Sequence, residues 1–127
     1  DFNQYKQLLN EFRSSNFTMK QFKNFILHEE NTRIYVLEHK NKLYATGTIL
    51  TEKKFIHDFS LYCHIEDIIV KNEFKGKGYG TLLMKKMIDI CKQKRCYKML
   101  LDCDIQLIQF YEKCGFTNSG FQMTIYL

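Results

Sequence analysis

The chain has 127 residues, 45% of them hydrophobic, and carries a formal net charge of +5. This length and composition suit one domain, residues 1–127, with its own core, and they exclude a disordered chain. No apolar run approaches the roughly 20 residues of a transmembrane helix, and the lysines form no basic stripe interleaved with aromatic residues, so we expect neither a membrane nor a nucleic-acid partner.

The first half of the chain predicts two helices and then a hairpin. Apolar residues recur at helical spacing over residues 2–13 and again from Met19 to about Glu29, where Thr18 and Gln21 have the form of a capping box. The period changes to two over residues 33–38 and 43–50, which flank a polar turn. Residues 63–70 (CHIEDIIV) predict a third strand.

The second half predicts alternating helices and strands. A helix with one apolar face follows the glycine-rich stretch and extends to about Gln93. Residues 97–103 predict a buried strand, residues 105–114 a short helix that stops at Gly115, and residues 121–126 a last strand. This order predicts an α/β fold in which a helix connects two parallel strands.

The five cysteines are an odd number and include no CxxC pair. We therefore expect small buried residues in a reducing cytoplasm, and neither a disulfide framework nor a metal site. Because the chain begins with Asp1 and not Met, we also expect it to be trimmed or partial.

Three glycines, Gly76, Gly78 and Gly80, stand between the third strand and the next helix, with Lys75 and Lys77 among them. The stretch fits neither the Walker A loop nor the G-x-G-x-x-G fingerprint, in which the third glycine comes one residue later. Glycines let main-chain N–H groups turn toward a ligand, and a helix start adds unpaired donors and the positive end of a dipole. The stretch therefore predicts a phosphate or pyrophosphate site, with a plain strand-to-helix loop as the alternative.

These residues resemble the GNAT acetyltransferases. Lys75-x-x-Gly78-x-Gly80 is similar to the loop that holds the pyrophosphate of coenzyme A in that family. The segments HIEDI (64–68), CYK (96–98), LDCD (101–104) and FYEKCGF (110–116) more narrowly resemble the eukaryotic glucosamine 6-phosphate N-acetyltransferases, over roughly residues 54–124. The resemblance implies a GNAT fold with a mixed central sheet flanked by helices. It also implies direct acetyl transfer from acetyl-CoA to the amine of glucosamine 6-phosphate, toward UDP-N-acetylglucosamine, without a metal.

The resemblance also assigns the coenzyme site. The backbone of residues 68–70 is expected to pair with pantetheine, the N–H of Ile68 to polarise the thioester carbonyl, and the Tyr111 hydroxyl to donate to the departing sulfur. Without the resemblance, Tyr111 would be read as a core aromatic. The expected coenzyme residues are Ile68, Ile69, Val70, Lys75, Gly76, Lys77, Gly78, Tyr79, Gly80, Thr81 and Tyr111.

The acceptor amine must lose a proton, so a carboxylate is needed nearby. Glu66 and Asp67 are adjacent on a strand, so we expect their side chains on opposite faces, where salt bridges are the ordinary interpretation. The resemblance instead makes Glu66 catalytic and gives Asp67 either a hydrogen bond to the sugar or a role in fixing its neighbours. It makes Asp102 the second acid–base or amine-orienting candidate, and which of Glu66 and Asp102 takes the proton stays open. The expected substrate residues are Lys54, His57, Glu66, Asp67, Ile68, Tyr97, Lys98 and Asp102.

The chain departs from the family pattern at three places. Leu107 stands where many members have an asparagine that contacts acetyl-CoA, and Tyr126 stands where relatives have a basic residue near the end of the last strand. We also expect the family's N-terminal strand to be missing before Asp1.

Two other functions stay open: acetylation of a protein N-terminus or another small amine, and a catalytically silent acyl-CoA-binding module. The matches at Glu66-Asp67 and at residues 96–98 argue against the first. The retained Glu66, Asp102 and Tyr111 argue against the second, although Leu107 keeps it open. The family completes its sugar site across a subunit interface, so the resemblance also implies a homodimer.

Overall fold

The computed structural model describes all 127 residues. Its helices are α1 (Phe2–Phe12), α2 (Met19–His28), α4 (Tyr79–Gln93) and α5 (Ile108–Lys113), and α3 (Ile56–Phe59) is a single left-handed turn with positive φ at His57, Asp58 and Phe59. Its strands are β1 (Thr32–His39), β2 (Lys42–Lys53), β3 (Leu61–Val70) and β4 (Lys98–Leu100). The strands form one sheet in the order β1-β2-β3-β4, antiparallel except for the parallel pair β3–β4. The predicted mixed α/β fold is therefore confirmed.

Local signals account for much of this order. The Thr18 side chain accepts a hydrogen bond from the Gln21 N–H (3.1 Å), and the Gln21 side chain accepts one from the Thr18 N–H (2.9 Å), which completes the predicted capping box. Lys40 and Asn41, with φ of 48° and 63°, turn the chain between β1 and β2. Positive φ at both central residues is the geometry that suits a tight hairpin.

The core lies between the sheet and the inner face of α4. It contains Ala45, Ile49, Cys63 and Ile65 from the sheet, Leu83, Met84, Met87 and Cys91 from α4, and Tyr111 from α5. None of the helices combines the length and the apolar character needed to cross a membrane.

A β-bulge interrupts β3 where the site is built. The partner pairs on its two sides are Thr46 with Ile69 and Thr48 with Glu66. Asp67 and Ile68 therefore both lie opposite Gly47, and Asp67 takes a φ of 51°. A Cβ on Gly47 would lie 2.6 Å from Ile68 Cδ1 and 2.7 Å from Met87 Sδ, so the glycine gives the bulge room to form.

The last strand of the sheet is shorter than predicted. β4 pairs with β3 only through Tyr62–Lys98, Cys63–Met99 and His64–Leu100, and the chain leaves the sheet after Leu100. The prediction of a strand over residues 97–103 is thus right in place and wrong in length. Because β4 ends early, residues 65–70 of β3 have no partner strand on that side.

The predicted strand over residues 121–126 is wrong. Residues 117–127 have no regular structure, and Phe121, Met123, Ile125, Tyr126 and Leu127 are each at least 80% exposed. Alternating apolar residues form a strand only when another strand pairs with them and a core covers one face, and in this structure residues 121–126 pair with no strand and stay exposed.

The expectation that the cysteines are unpaired is wrong for Cys63 and Cys96, which form a disulfide with a Cα–Cα distance of 6.3 Å. The two residues are 33 positions apart, and the pairing of β3 with β4 brings them together. Cys91, Cys103 and Cys114 are free. Disulfides are rare in the cytosol, so this pair removes part of the argument for a reducing compartment.

Candidate active site

A cleft of about 580 Å³ lies along the half of β3 that β4 leaves unpaired. The predicted coenzyme residues that line it are Ile68, Ile69, Val70, Lys75, Gly76, Gly78, Tyr79, Gly80, Thr81 and Tyr111. Lys77 does not line the cleft, and its Nζ lies 5.9 Å from the centre of the Phe74 ring. The structure therefore gathers ten of the eleven predicted coenzyme residues around one cavity.

Glycine is needed at the three positions of the loop for different structural reasons. Gly76 and Gly78 have φ of 77° and 86°, in the left-handed region that favours glycine, and an added Cβ at either would meet nothing within 4 Å. Gly80 lies inside α4, where a Cβ would come within 3.3 Å of the Phe110 ring. Two glycines thus shape the loop, and the third lets α4 lie close to α5.

The start of α4 is open to an anion. Gly78 is its N-cap and no side chain caps it, so the first N–H groups of α4 have no partner within the helix. Lys75 stands in the wall of the same cleft. The chain therefore presents unpaired donors and positive charge where the sequence predicts a pyrophosphate.

Three carboxylates lie together near the unpaired part of β3. Glu66 and Asp67 are both exposed, and Asp67 lies in the bulge, where the regular alternation of side chains along β3 is interrupted. Partial burial raises the pKa of the Glu66 carboxyl above its usual value, and the charges of Asp67 and Asp102 raise it further. A raised pKa makes a carboxylate a stronger proton acceptor near neutral pH.

Tyr111 is 8% exposed and lies in the wall of the cleft. Its ring packs edge-on against those of Phe110 (5.0 Å) and Phe116 (5.9 Å). Burial raises the pKa of the Tyr111 hydroxyl to about 12, and Cys103 and Cys114 add to the shift. The hydroxyl therefore keeps its proton at neutral pH and can act as a hydrogen-bond donor.

The four predicted sugar-phosphate residues come together around Tyr62, outside the walls of the cleft. The His57 and Tyr97 rings stack at 4.2 Å, and Tyr97 lies 5.8 Å from Tyr62. Lys98 Nζ and Lys54 Nζ lie 4.9 Å and 5.5 Å from the centre of the Tyr62 ring. Tyr62, at the centre of this group, precedes Glu66 on β3 by four residues, which corresponds to about 13 Å along the strand.

The sequence did not predict several residues that line the cleft. Glu11 and Phe12 line it from the end of α1, and Phe74 and Phe110 line it from beside the loop and from α5. Glu11 Oε2 accepts a hydrogen bond from the Asn72 N–H (2.9 Å), which connects α1 to the segment before the glycine loop. An amphipathic helix at the start of a chain does not reveal which residue will reach a site 61 positions away.

The sheet is mixed, its strand β3 carries a bulge, and the chain after β4 diverges from β3. Together with the glycine loop at the start of α4, these features are those of an acyl-CoA-dependent acyltransferase. The acetyltransferase (GNAT) family model matches residues 2–116, and the chain belongs to this family. Enzymes of the family use acetyl-CoA as a co-substrate.

Within the family, the chain is similar to glucosamine 6-phosphate N-acetyltransferases. It is 37% identical to glucosamine 6-phosphate N-acetyltransferase 1 of Dictyostelium discoideum, over 97% of this chain and 82% of that protein. It is 42% identical to the Arabidopsis thaliana enzyme of that name, over 70% of this chain and 60% of the relative. The crystal structure of the Arabidopsis enzyme superposes with a TM-score of 0.87 at 32% identity, covering 96% of this chain and 88% of the other.

Proposed function

We propose that this protein transfers the acetyl group of acetyl-CoA to the amine of D-glucosamine 6-phosphate, giving N-acetylglucosamine 6-phosphate and CoA by direct attack. The observation that carries the proposal is the arrangement along β3, where one cleft has an open helix start and glycine loop as part of its wall, and three carboxylates lie beside it. The choice of sugar rests on the similarity to relatives that are named for this activity.

The coenzyme is proposed to lie in the gap between β3 and the chain after β4. Residues 68–70 have no partner strand on that side, so their backbone groups are available to the amides of pantetheine. The N–H groups at the start of α4 and the Lys75 side chain bind the pyrophosphate. The N–H of Ile68 donates to the thioester carbonyl oxygen, on which negative charge develops during the reaction.

Proton transfer is assigned to the carboxylates and to Tyr111. Glu66 is the favoured acceptor of the proton lost by the amine, because its raised pKa brings it closer to neutrality. Asp102 is the second candidate for this role, and Asp67 is assigned a hydrogen bond to the sugar. The Tyr111 hydroxyl, protonated at neutral pH, donates to the sulfur as the carbon–sulfur bond breaks.

The sugar phosphate is assigned to Lys54, His57, Tyr97 and Lys98. The two lysines supply positive charge, and the stacked His57 and Tyr97 rings form a flat surface beside them. One matched pair of variants tests this: Lys98→Met should raise the KM for the sugar phosphate with little change for acetyl-CoA. Lys113→Met, which removes a lysine from α5 outside this group, should change neither.

We propose that the protein is a homodimer and that residues 1–127 form one domain, since all four strands join one sheet. The apolar tail from Phe121 to Leu127 is exposed, and Phe55 is 91% exposed in the connection between β2 and β3. Burying this surface against a second copy would remove it from water. Sedimentation should give the mass of a dimer for the full chain; a monomer at micromolar concentration would refute this assignment. A cytoplasmic location stays a prediction, which cell fractionation can test.

The function is tested by following free thiol release from acetyl-CoA with a panel of amines. Preference for glucosamine 6-phosphate over glucosamine and over peptide N-termini supports the proposal. Turnover with peptides alone would refute the sugar assignment. Binding of CoA without turnover of any amine would favour the silent module, which the apolar Leu107 in the wall of the cleft keeps open.

A further inference from the structure

Three aromatic rings surround both ends of the glycine loop. Phe74 stands just before the loop and stacks on Tyr44 of β2, with ring centres 4.0 Å apart and planes inclined by 7°. Tyr79 stands just after the loop and meets the same Tyr44 ring edge-on at 5.0 Å. Phe74 and Tyr79 also contact each other, at 6.0 Å. One side chain of the sheet therefore touches the residue that enters the loop and the residue that leaves it.

The loop between Phe74 and Tyr79 lies at the surface. Residues 75–78 are exposed, and a Cβ added to Gly76 or Gly78 would meet nothing within 4 Å, so no side chain at these two positions anchors the loop. Glycines at positive φ give the backbone many alternatives in the absence of such contacts. The segment before the loop is also held through the Tyr44 backbone, whose carbonyl oxygen accepts a hydrogen bond from the Lys71 N–H (2.9 Å).

We propose that Tyr44 is a positioning residue for the coenzyme: its ring holds Phe74 and Tyr79 so that the loop between them is already shaped to receive a pyrophosphate. The inference rests on the proposed binding of acetyl-CoA and adds the residue that organises its phosphate site. Tyr44 does not line the cleft, so it acts through the two residues that do.

This arrangement has a specific energetic consequence. A loop that must be ordered when the ligand binds loses affinity through the entropy of ordering, and a loop ordered beforehand does not. The affinity is lost only for ligands that carry the group contacted by the loop. Disordering the loop should therefore weaken binding of CoA, which carries the pyrophosphate, and spare pantetheine, which lacks it.

The test compares Tyr44→Leu with Tyr44→Phe. Leucine removes the flat ring and phenylalanine keeps it. Tyr44→Leu should therefore weaken CoA binding by about 5- to 150-fold, as expected for the loss of two aromatic contacts, and Tyr44→Phe should keep the wild-type affinity. Tyr35→Leu, which removes another half-buried tyrosine of the sheet, is the matched control and should leave CoA affinity unchanged.

Calorimetry with CoA and with pantetheine measures the binding directly and requires no turnover. In kinetics, Tyr44→Leu should raise the KM for acetyl-CoA while kcat, the KM for the amine and kcat/KM with S-acetylpantetheine stay near those of the wild type. If Tyr44→Leu does not fold, Phe74→Leu removes the other half of the stack and should show the same selectivity for the pyrophosphate.

The outcomes separate this inference from the proposed function. Wild-type protein that binds CoA but does not acetylate glucosamine 6-phosphate would refute the substrate and leave the role of Tyr44 to stand on the binding data. Equal CoA affinity of wild type and Tyr44→Leu would overturn the inference, as would equal loss for CoA and pantetheine, which indicates a general defect of the fold. Wild-type protein that does not bind CoA would overturn both.

Discussion

Replacing Gly47 by alanine should destabilise the protein through the bulge of β3. The added Cβ would lie 2.6 Å from Ile68 Cδ1, 2.7 Å from Met87 Sδ and 3.0 Å from Met87 Cε, all well inside normal contact. Gly47 and Met87 are buried, so the Met87 side chain has no free space to enter. Ile68 lines the cleft as well as packing on the core, so its Cδ1 can turn toward the cleft, and the contact with Met87 decides the cost. The clash must be relieved by moving the bulge or the side chain of Met87.

The cost of such overpacking is about 1–3 kcal/mol. For a chain of this length, that corresponds to a fall in Tm of about 4–11 °C. Part of it is offset by the lower entropy of the unfolded chain, which favours alanine over glycine by about 0.4–1 kcal/mol. Thermal and urea unfolding, followed by circular dichroism, measure the change.

Gly120→Ala is the matched control for Gly47→Ala. A Cβ at Gly120 would meet nothing within 4 Å, so the control should change stability by no more than about 0.5 kcal/mol. In the double variant Gly47→Ala/Met87→Ala, the smaller side chain at position 87 makes room for the new Cβ. The double variant should therefore lose less free energy of unfolding than the two single variants lose together. If Gly47→Ala has the same Tm and the same urea midpoint as the wild type and Gly120→Ala, the steric account of the bulge is wrong.

Three further predictions concern the site. Tyr111→Phe should lower kcat on the order of 10²-fold, because the departing sulfur loses its donor, with a smaller effect on acetyl-CoA affinity; an unchanged kcat would remove Tyr111 from the chemistry. The pKa of Glu66 is raised in the folded protein, so the folded state holds this proton more tightly than the unfolded state, whose value is near 4.5. Ionisation of Glu66 should therefore cost stability as the pH rises from about 4.5 through the folded pKa, and Glu66→Gln should lessen that loss in urea unfolding measured against pH; parallel profiles would contradict the shift. Gly78→Ala forces a side chain into a φ of 86°, which costs about 1–2 kcal/mol, and should weaken CoA binding measured by calorimetry, while a Gly78→Ala variant that binds CoA as the wild type does would show that the loop tolerates another backbone conformation.

The sequence by itself determined the features that depend on neighbouring residues. The capping box of Thr18 and Gln21, the turn at Lys40 and Asn41, and the amphipathic α4 each arise from contacts within a few residues, so periodicity and turn chemistry were sufficient to predict them. The predicted coenzyme residues come together around one cleft for a related reason. Most of them lie in two short runs, residues 68–70 and 75–81, so one cleft contains both.

Only the tertiary structure decided the features in which distant residues meet. The bulge at Asp67 and Ile68 requires Gly47 on another strand, the disulfide joins Cys63 to Cys96, and Tyr44 of β2 holds the loop between Phe74 and Tyr79. The alternating pattern of residues 121–126 predicted a strand that does not form, because a strand needs a partner and none lies beside this segment. A local pattern states what a segment is able to form, and whether it forms depends on the surface that the rest of the chain brings to it.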